Sequence, residues 1–440
     1  MLTLSVIGTG YLGATHAAGM ASLGFNVVGL DTDASKIDAL SSGELPFYEP
    51  GLPELLKTSL DSGRLRFTTD FTQINDADVH FLCVGTPQSR DGNSADLSYV
   101  FEAVQAIASV AKDGALIVGK STVPVGTAER LFAEMQQING SLDLAWNPEF
   151  LREGFAIEDT LHPNRIVVGV RNDAAETILR QVYATLLAEK IPWIRSDLRT
   201  AELVKTAANA FLATKISFIN AMAEVCDVAG ADVTTLATAI GYDPRIGNRF
   251  LQAGIGFGGG CLPKDLRSFM ARAEELGAKE ALDFLSDIDA INLRARHRMV
   301  DLAVTELDGD PVGKKVLVLG AAFKPNSDDV RDSPALDIAA GLNERGADVV
   351  IHDPKAIHKA KARFPHLKFS DDLAQAATGA ELVLHLTEWL EYREMDPVDL
   401  GQLVKRRRII DGRNALSPTK WQNAGWTYLA PGRPRLDAHE

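Results

Sequence analysis

The chain has 440 residues, 46% hydrophobic and 24% charged, with a formal net charge of −14. This is the profile of a globular protein too long for one core, so two or three domains are expected, and its acidic balance excludes nucleic acid as a main partner. Its three cysteines, Cys83, Cys226 and Cys261, form neither a disulfide framework nor a metal site and suit a reducing cytoplasm, while the absence of a basic leader or a bilayer-length apolar run argues against a membrane partner.

Residues 2–7 read as a buried strand, and Gly8-Thr9-Gly10-Tyr11-Leu12-Gly13 follows at once. A small-residue helix over 14–23 stops at Gly24, and a second strand over 25–30 ends at Asp31. A GxGxxG set between two strands, with an acid after the second, is the context of a dinucleotide site. Gly8 makes the turn, Gly10 admits a pyrophosphate at the helix N-terminus, and Gly13 lets the helix pack on the strand. Asp31 is placed to accept ribose hydroxyls, and its charge repels a 2′-phosphate, which favours NAD over NADP. Further strands are expected over 79–84, where Cys83 reads as core, and over 115–119, with a helix over 94–110 between them. The loops after these strands put Thr86, Ser121 and Thr122 at carboxyl ends, as candidates for cofactor or substrate contact or as ordinary turn residues. A strand over 142–145 leads into Trp146-Asn147-Pro148-Glu149-Phe150-Leu151-Arg152-Glu153-Gly154, whose two glutamates line a cleft or cap a helix. Residues 166–170 read as another strand.

The clearest helix runs over 198–229. Leu203, Ala207, Ala210, Phe211, Thr214, Phe218, Met222 and Val225 recur on it at 3.6-residue spacing. At 1.5 Å per residue it is about 45 Å long, suited to bridging domains and to a dimer surface. Lys205 and Asn209 stand one turn apart on another face. They are either an ammonium and an amide able to hold an oxyanion, or part of a solvated face. Next, Gly256-Phe257-Gly258-Gly259-Gly260-Cys261-Leu262-Pro263-Lys264-Asp265 crowds four glycines against one cysteine. Either this is a flexible turn, or it carries a nucleophile whose thiolate fraction Lys264 raises. A helix over 283–308 precedes a strand over 313–319, a helix over 335–344 and a strand over 347–351 that closes on His352-Asp353-Pro354. This repeats the βαβ layout with Phe323-Lys324 in place of the glycine turn, which points to a different phosphate compound. Strands over 381–386 and 408–411 follow, the last ending near Arg413, and the tail from Pro431 is expected to fray. The fold class is α/β, with two Rossmann-like doubly wound domains joined by a long central helix. The expected bounds are 1–197 for NAD, 198–308 for the helical dimerisation region with the cysteine loop, and 309–440 for the nucleotide sugar.

The chain resembles the UDP-glucose/GDP-mannose dehydrogenase family over nearly its whole length. The resemblance rests on Val6-Ile7-Gly8-Thr9-Gly10-Tyr11-Leu12-Gly13, Tyr48-Glu49-Pro50-Gly51-Leu52, Ser121-Thr122-Val123-Pro124-Val125-Gly126-Thr127, Asn147 to Gly154, Gly258 to Asp265, Ala322-Phe323-Lys324 and Asp411-Gly412-Arg413. It implies NAD-dependent, four-electron oxidation of a nucleotide sugar at C6, through a thiohemiacetal and a thioester on Cys261. The implied substrate is UDP-glucose, giving UDP-glucuronate, with GDP-mannose or another nucleotide sugar as the alternative. A cytoplasmic homodimer or higher homo-oligomer without a metal is implied. Lys205 and Asn209 match the oxyanion-holding pair, and Asp265, Thr122 and Glu149 match groups that handle protons and water. Gly8, Gly10, Tyr11, Leu12, Gly13, Asp31, Lys36, Thr86, Ser121, Thr122, Glu153, Lys264 and Arg331 match the NAD site. Glu149, Phe150, Leu151, Glu153, Lys205, Asn209, Phe250, Leu251, Gly254, Gly258, Phe323, Lys324 and Arg413 match the sugar-nucleotide site, with Arg245 reaching it from the partner subunit. Two departures stand out: Gly260 where many relatives carry Ser, and Leu262 where many carry Phe.

Overall fold

The structure, a computed structural model, describes residues 2–89 and 92–438. It divides into two compact units, one of residues up to Ala208 with Arg267–Gly277, the other of Asn209–Leu266 with Ala278 onward.

The first unit is built on eight strands: β1 (Thr3–Ile7), β2 (Asn26–Leu30), β3 (Leu65–Thr68), β4 (Val79–Leu82), β5 (Leu116–Gly119), β6 (Asp143–Trp146), β7 (Ile166–Gly169) and β8 (Trp193–Ser196). Their order is β3-β2-β1-β4-β5-β6-β7-β8, parallel except where β6 meets β7. The order reverses between β1 and β4, the crevice where open α/β sheets bind ligands. β4, β5 and β7 are buried at every position, because one apolar layer packs on each face of the sheet. The helix expected from residue 94 begins only at Ser98. Before it, Ala95 is bridged to Gln88 and the Asp96 carboxylate accepts the Ser98 N–H at 3.0 Å, so the chain turns there instead of coiling.

The second unit holds β9 (Lys315–Leu319), β10 (Asp348–His352), β11 (Lys368–Phe369), β12 (Leu382–His385), β13 (Arg408–Asp411) and β14 (Thr427–Leu429), in the order β11-β10-β9-β12-β13-β14. All pairs are parallel. The first six strands of the other unit follow the same plan, and the likeness reaches single residues. Gly8 after β1 has φ +86 and Gly320 after β9 has φ +113. Each donates its N–H at 2.8 Å to the last carbonyl of the neighbouring strand, Leu30 and His352 respectively. The second half therefore keeps the first glycine of the turn. The acid that follows accepts the same turn N–H in both units, and in this one takes more donors. Asp353, placed after β10 as Asp31 is after β2, accepts the N–H groups of Ala321 (2.7 Å) and Ala322 (3.0 Å) and the Trp389 indole (3.2 Å) on one oxygen. Its other oxygen accepts the N–H groups of Lys355 and Ala356.

The long helix spans Leu198–Ala229, and the division between units falls within it. Its apolar stripe is outward: Leu203, Phe211, Phe218 and Val225 are 39%, 65%, 46% and 57% exposed. The buried face is small and polar, and its groups find partners. Ser217 donates to the Ile288 carbonyl (2.8 Å), Asn220 accepts the Gly254 N–H (2.8 Å), and Asn209 donates to Asp265 (2.7 Å). The tail expected to fray is instead tied down. Leu436 and Tyr428 exchange both backbone hydrogen bonds, Gly432 donates to Asp227 and Arg435 pairs with Glu306 at 2.6 Å.

Candidate functional site

The dinucleotide turn follows from its glycines. A Cβ on Gly13 would stand 1.8 Å from the Gly8 carbonyl oxygen, so only glycine lets the helix Tyr11–Ser22 approach β1. A Cβ on Gly10 would meet nothing within 4 Å. That open space lies at a helix start whose first N–H groups have no side-chain cap, which fits a pyrophosphate. Asp31 accepts the Thr9 N–H (2.8 Å) and pairs with Lys36 (2.7 Å) on one oxygen, and accepts the Asp33 N–H (3.1 Å) on the other. Burial alone would raise its pKa. Lys36 and the N–H groups of Asp33 and Thr9 outweigh burial and hold the carboxyl below its ordinary range. Space, donors and a charged acceptor thus fit NAD. Lys36 acts here through Asp31. Thr86 donates to the Thr122 carbonyl (2.8 Å) and Ser121 to the Val84 carbonyl (2.7 Å), so both hydroxyls brace the loops after β4 and β5.

Tyr11 extends the turn outward. Its hydroxyl donates to Glu49, which is 2% exposed and also accepts the N–H groups of Gly154 (2.6 Å) and Ala156 (2.7 Å). The motif around Glu49 therefore joins the dinucleotide turn to the loop after β6. On that loop, Glu149 accepts the N–H groups of Phe150 (2.7 Å) and Leu151 (2.9 Å) on Oε1. Its Oε2 lies 3.0 Å from the ammonium of Lys120, a side chain only 5% exposed. Lys120 also donates to Asn147 (3.1 Å), whose amide oxygen accepts the Tyr183 hydroxyl (2.5 Å) and whose amide nitrogen donates to the Val167 carbonyl (2.8 Å). Burial would strip the proton from Lys120. Glu149, with Tyr183 and Cys83 beside it, reverses that and holds the ammonium above its ordinary range. Burial pushes the Cys83 thiol up to about 12, against the pull of Lys120, so it stays protonated in the core. The Phe150 ring lies under Arg165 at 3.9 Å, with the Lys205 ammonium 5.6 Å from its centre. Glu153, Leu151, Leu12 and Thr122 are all half-buried.

In the second unit, Cys261 is exposed and immediately precedes the helix Leu262–Glu275, its carbonyl accepting the Asp265 N–H at 2.8 Å. The sequence suggested a loop with a neighbouring lysine. A helix N-terminus adds its partial positive charge, which also favours a thiolate. Asp265 is 2% exposed, accepts the Asn209 amide at 2.7 Å and pairs with Lys264 at 2.8 Å. The glycines before Cys261 serve packing. A Cβ on Gly258 would lie 2.1 Å from the Asp332 carbonyl, and one on Gly260 2.2 Å from the Arg331 guanidinium carbon. Gly260, the departure from relatives with serine, thus leaves room for Arg331, which pairs with Asp329. Asn292, fully buried, accepts the Phe257 N–H (2.7 Å) and donates to its carbonyl (3.0 Å), and Arg296 donates to that carbonyl at 2.8 Å.

Arg413 donates to the carbonyls of Leu386 (2.7 Å), Phe323 (2.9 Å) and Gly256 (3.2 Å), tying three loops together. Phe323 packs so that a Cβ on Gly259 would lie 2.8 Å from its ring, and the Lys324 ammonium lies 5.2 Å from the same ring. Gly254 has its N–H on Asn220 and no room for a Cβ, with the Gly412 carbonyl 2.7 Å away. Leu251 is buried, and Phe250 beside it takes a left-handed φ of +64. Arg245, 88% exposed, pairs with Asp243 at 2.6 Å. Sequence reasoning passed over Lys120, Tyr183, Asn292 and Arg296, which act on neighbours rather than in any motif. Glu49 stood in a motif without a role.

Three family models match the chain. They describe the NAD binding domain (residues 2–187), the central domain (199–294) and the UDP binding domain (317–418) of the UDP-glucose/GDP-mannose dehydrogenase family. The chain is 42% identical over 445 residues to the UDP-glucose 6-dehydrogenase TuaD of Bacillus subtilis, covering 100% of this chain and 95% of that one. It is 39% identical over 438 residues to a UDP-glucose 6-dehydrogenase of Rhizobium meliloti, covering 98% and 100%. The solved structure of a UDP-glucose dehydrogenase from Pyrobaculum islandicum matches with a TM-score of 0.90 at 38% identity, covering 99% and 98%.

Proposed function

We infer the reaction from one premise: the chain belongs to the UDP-glucose/GDP-mannose dehydrogenase family and is an NAD-dependent oxidoreductase. Its reading here is a UDP-glucose 6-dehydrogenase that turns the C6 alcohol into the carboxylate of UDP-glucuronate. The observation that supports it best is Cys261, an exposed thiol at a helix start with Asp265 in the first turn. NAD, when bound, supplies the hydride acceptor for both oxidations. The chain's own residues do the rest. A carboxylate takes the C6 hydroxyl proton as the alcohol becomes an aldehyde. The Cys261 sulfur then adds to the aldehyde carbon, and Lys205 and Asn209 hold the oxygen of the resulting thiohemiacetal. Loss of the second hydride leaves a thioester, and water, ordered by Asp265, Thr122 or Glu149, releases the acid and returns the thiol. This splits one hard conversion into easier ones. Lys324, Phe323, Arg413 and the segment from Phe250 to Gly258 hold the nucleotide sugar. Gly8 to Gly13, Asp31 with Lys36, and the loops bearing Thr86 and Ser121 hold NAD, with Glu153, Lys264 and Arg331 nearby.

The exposed stripe Phe211, Phe218 and Val225, with Val228 at 91% exposure, supports a homodimer built on the long helix, with the partner subunit's Arg245 reaching the sugar. Among the described residues no helix is long and apolar enough to cross a membrane, and three cysteines are too few for a disulfide framework, which suits a cytoplasmic enzyme. The purified protein is offered UDP-glucose, GDP-mannose and UDP-N-acetylmannosamine, each with NAD. Two NADH per UDP-glucose, with UDP-glucuronate as product, is the expected result. Preference for another sugar would change the substrate, and one NADH with an aldehyde product would overturn the mechanism.

A further inference from the structure

We propose that Lys120 is a positioning residue whose buried ammonium fixes the Glu149 carboxyl in one orientation, so that its remaining lone pair orients a water or hydroxyl. The inference rests on the reading above, in which Glu149 serves turnover. The geometry supports it at each atom. Both oxygens of Glu149 are engaged, Oε1 by two backbone N–H groups and Oε2 by the ammonium at 3.0 Å. The carboxylate remains able to accept, because Oε2 keeps a further lone pair and the side chain is 18% exposed.

Lys120 itself is overdetermined. It sits directly after β5, next to Ser121 and Thr122, at a carboxyl end where ligands bind. Asn147 accepts from it on the loop after β6, and Tyr183 and the Val167 carbonyl fix Asn147 in turn. One lysine thus ties the β5 loop, the β6 loop and the segment after β7 to a single arrangement. The titratable groups facing this pair are Tyr183, the Cys83 thiol after β4, and His16 on the first helix, which burial and then Lys120 hold neutral. Lys205 approaches the neighbouring Phe150 from the long helix.

The test compares Lys120→Met, Glu149→Gln and the double variant in full-length enzyme, by the split between kcat and sugar KM, with NADH binding as a check on folding. Lys120→Met is expected to lower kcat about 10²-fold, the scale of a reacting group displaced by about an ångström, with sugar KM changed less than threefold. Adding Lys120→Met to Glu149→Gln is expected to cost nothing further, since the two act as one unit. Effects that multiply, or a loss that appears in sugar KM and not in kcat, would overturn the proposal while leaving the reaction intact. If Glu149→Gln turns over like the unmodified enzyme, the role given to Glu149 is wrong and the proposal falls with it. Should Lys120→Met fail to bind NADH, Tyr183→Phe takes its place. It removes the hydroxyl on Asn147 without a cavity, and is expected to lower kcat several-fold with the same coupling to Glu149→Gln. A full-rate Tyr183→Phe enzyme would overturn the proposal.

Discussion

In the proposed NAD site, Asp31 carries the choice of cofactor on one carboxylate. It is ionised and already pinned by Thr9, Asp33 and Lys36, so a 2′-phosphate would meet a fixed negative charge. Asp31→Ala is expected to narrow the preference for NAD over NADP by about tenfold or more, roughly 1.4 kcal/mol, measured as the ratio of kcat/KM values. Equal use of both cofactors by the unmodified protein would remove the argument. In the proposed mechanism the Cys261 thiol has no part in the first hydride loss, so Cys261→Ala should make no sugar acid yet still consume NADH when given a C6-aldehyde nucleotide sugar. Lys205→Ala should slow both halves, by about 10² to 10³, the usual cost of one lost oxyanion contact. A Cys261→Ala enzyme that still yields two NADH per sugar would require an aldehyde hydrate as the second substrate.

Among the elements, the long helix makes a pH prediction through Glu202. Its side chain is 2% exposed and accepts the N–H groups of Gly126 (2.7 Å) and Ala128 (2.6 Å) at the start of the helix Thr127–Ile138. Burial pushes this carboxyl from 4.5 up to about 7, although the two N–H groups and Arg272 pull the other way. Between those values the folded chain binds more protons than the unfolded one, so stability falls as pH rises through that window. The loss is at most about 3 kcal/mol for a shift of this size. Glu202→Gln removes it, and its Tm should fall less between pH 5 and pH 8 than that of the parent. Parallel curves would clear Glu202 of the effect. The same helix shows what the sequence displays and what it conceals. Its length and its Leu203-to-Val225 stripe were plain, because period is a local signal. Which face meets the rest of the chain was not, because Ser217, Asn220 and Asn209 are buried by specific partners far away in sequence. The dinucleotide turn was legible for the opposite reason: glycine spacing, strand and acid all lie within about thirty residues. Lys120 escaped because a lysine before a serine has no period and no motif, and only folding brings Glu149 to it.

For the whole molecule, the prediction concerns subunits. If Arg245 serves its partner's site, Arg245→Ala and Cys261→Ala proteins are each inactive alone. Mixed under conditions that exchange subunits, they should recover activity, since one site of each mixed dimer would hold both residues. No recovery after exchange, verified by differential tagging, would place Arg245 in its own chain's work or in none. The exposed phenylalanines of the long helix make the same dimer testable by mass: Phe211→Glu with Phe218→Glu should yield monomers.

The self-occupied Asp353 has a kinetic consequence. Both units hold this acid on their own turn, Asp31 on Thr9 and Asp353 on Ala321, but Asp353 also takes the Ala322 N–H and the Trp389 indole where Asp31 takes Lys36. We expect these extra bonds to have cost the duplicated plan its interchangeability, leaving the turn after β1 as the address for adenine dinucleotides. NADH should therefore inhibit as a simple competitor of NAD, with straight-line replots at every concentration, and excess NAD should not invade the sugar's berth.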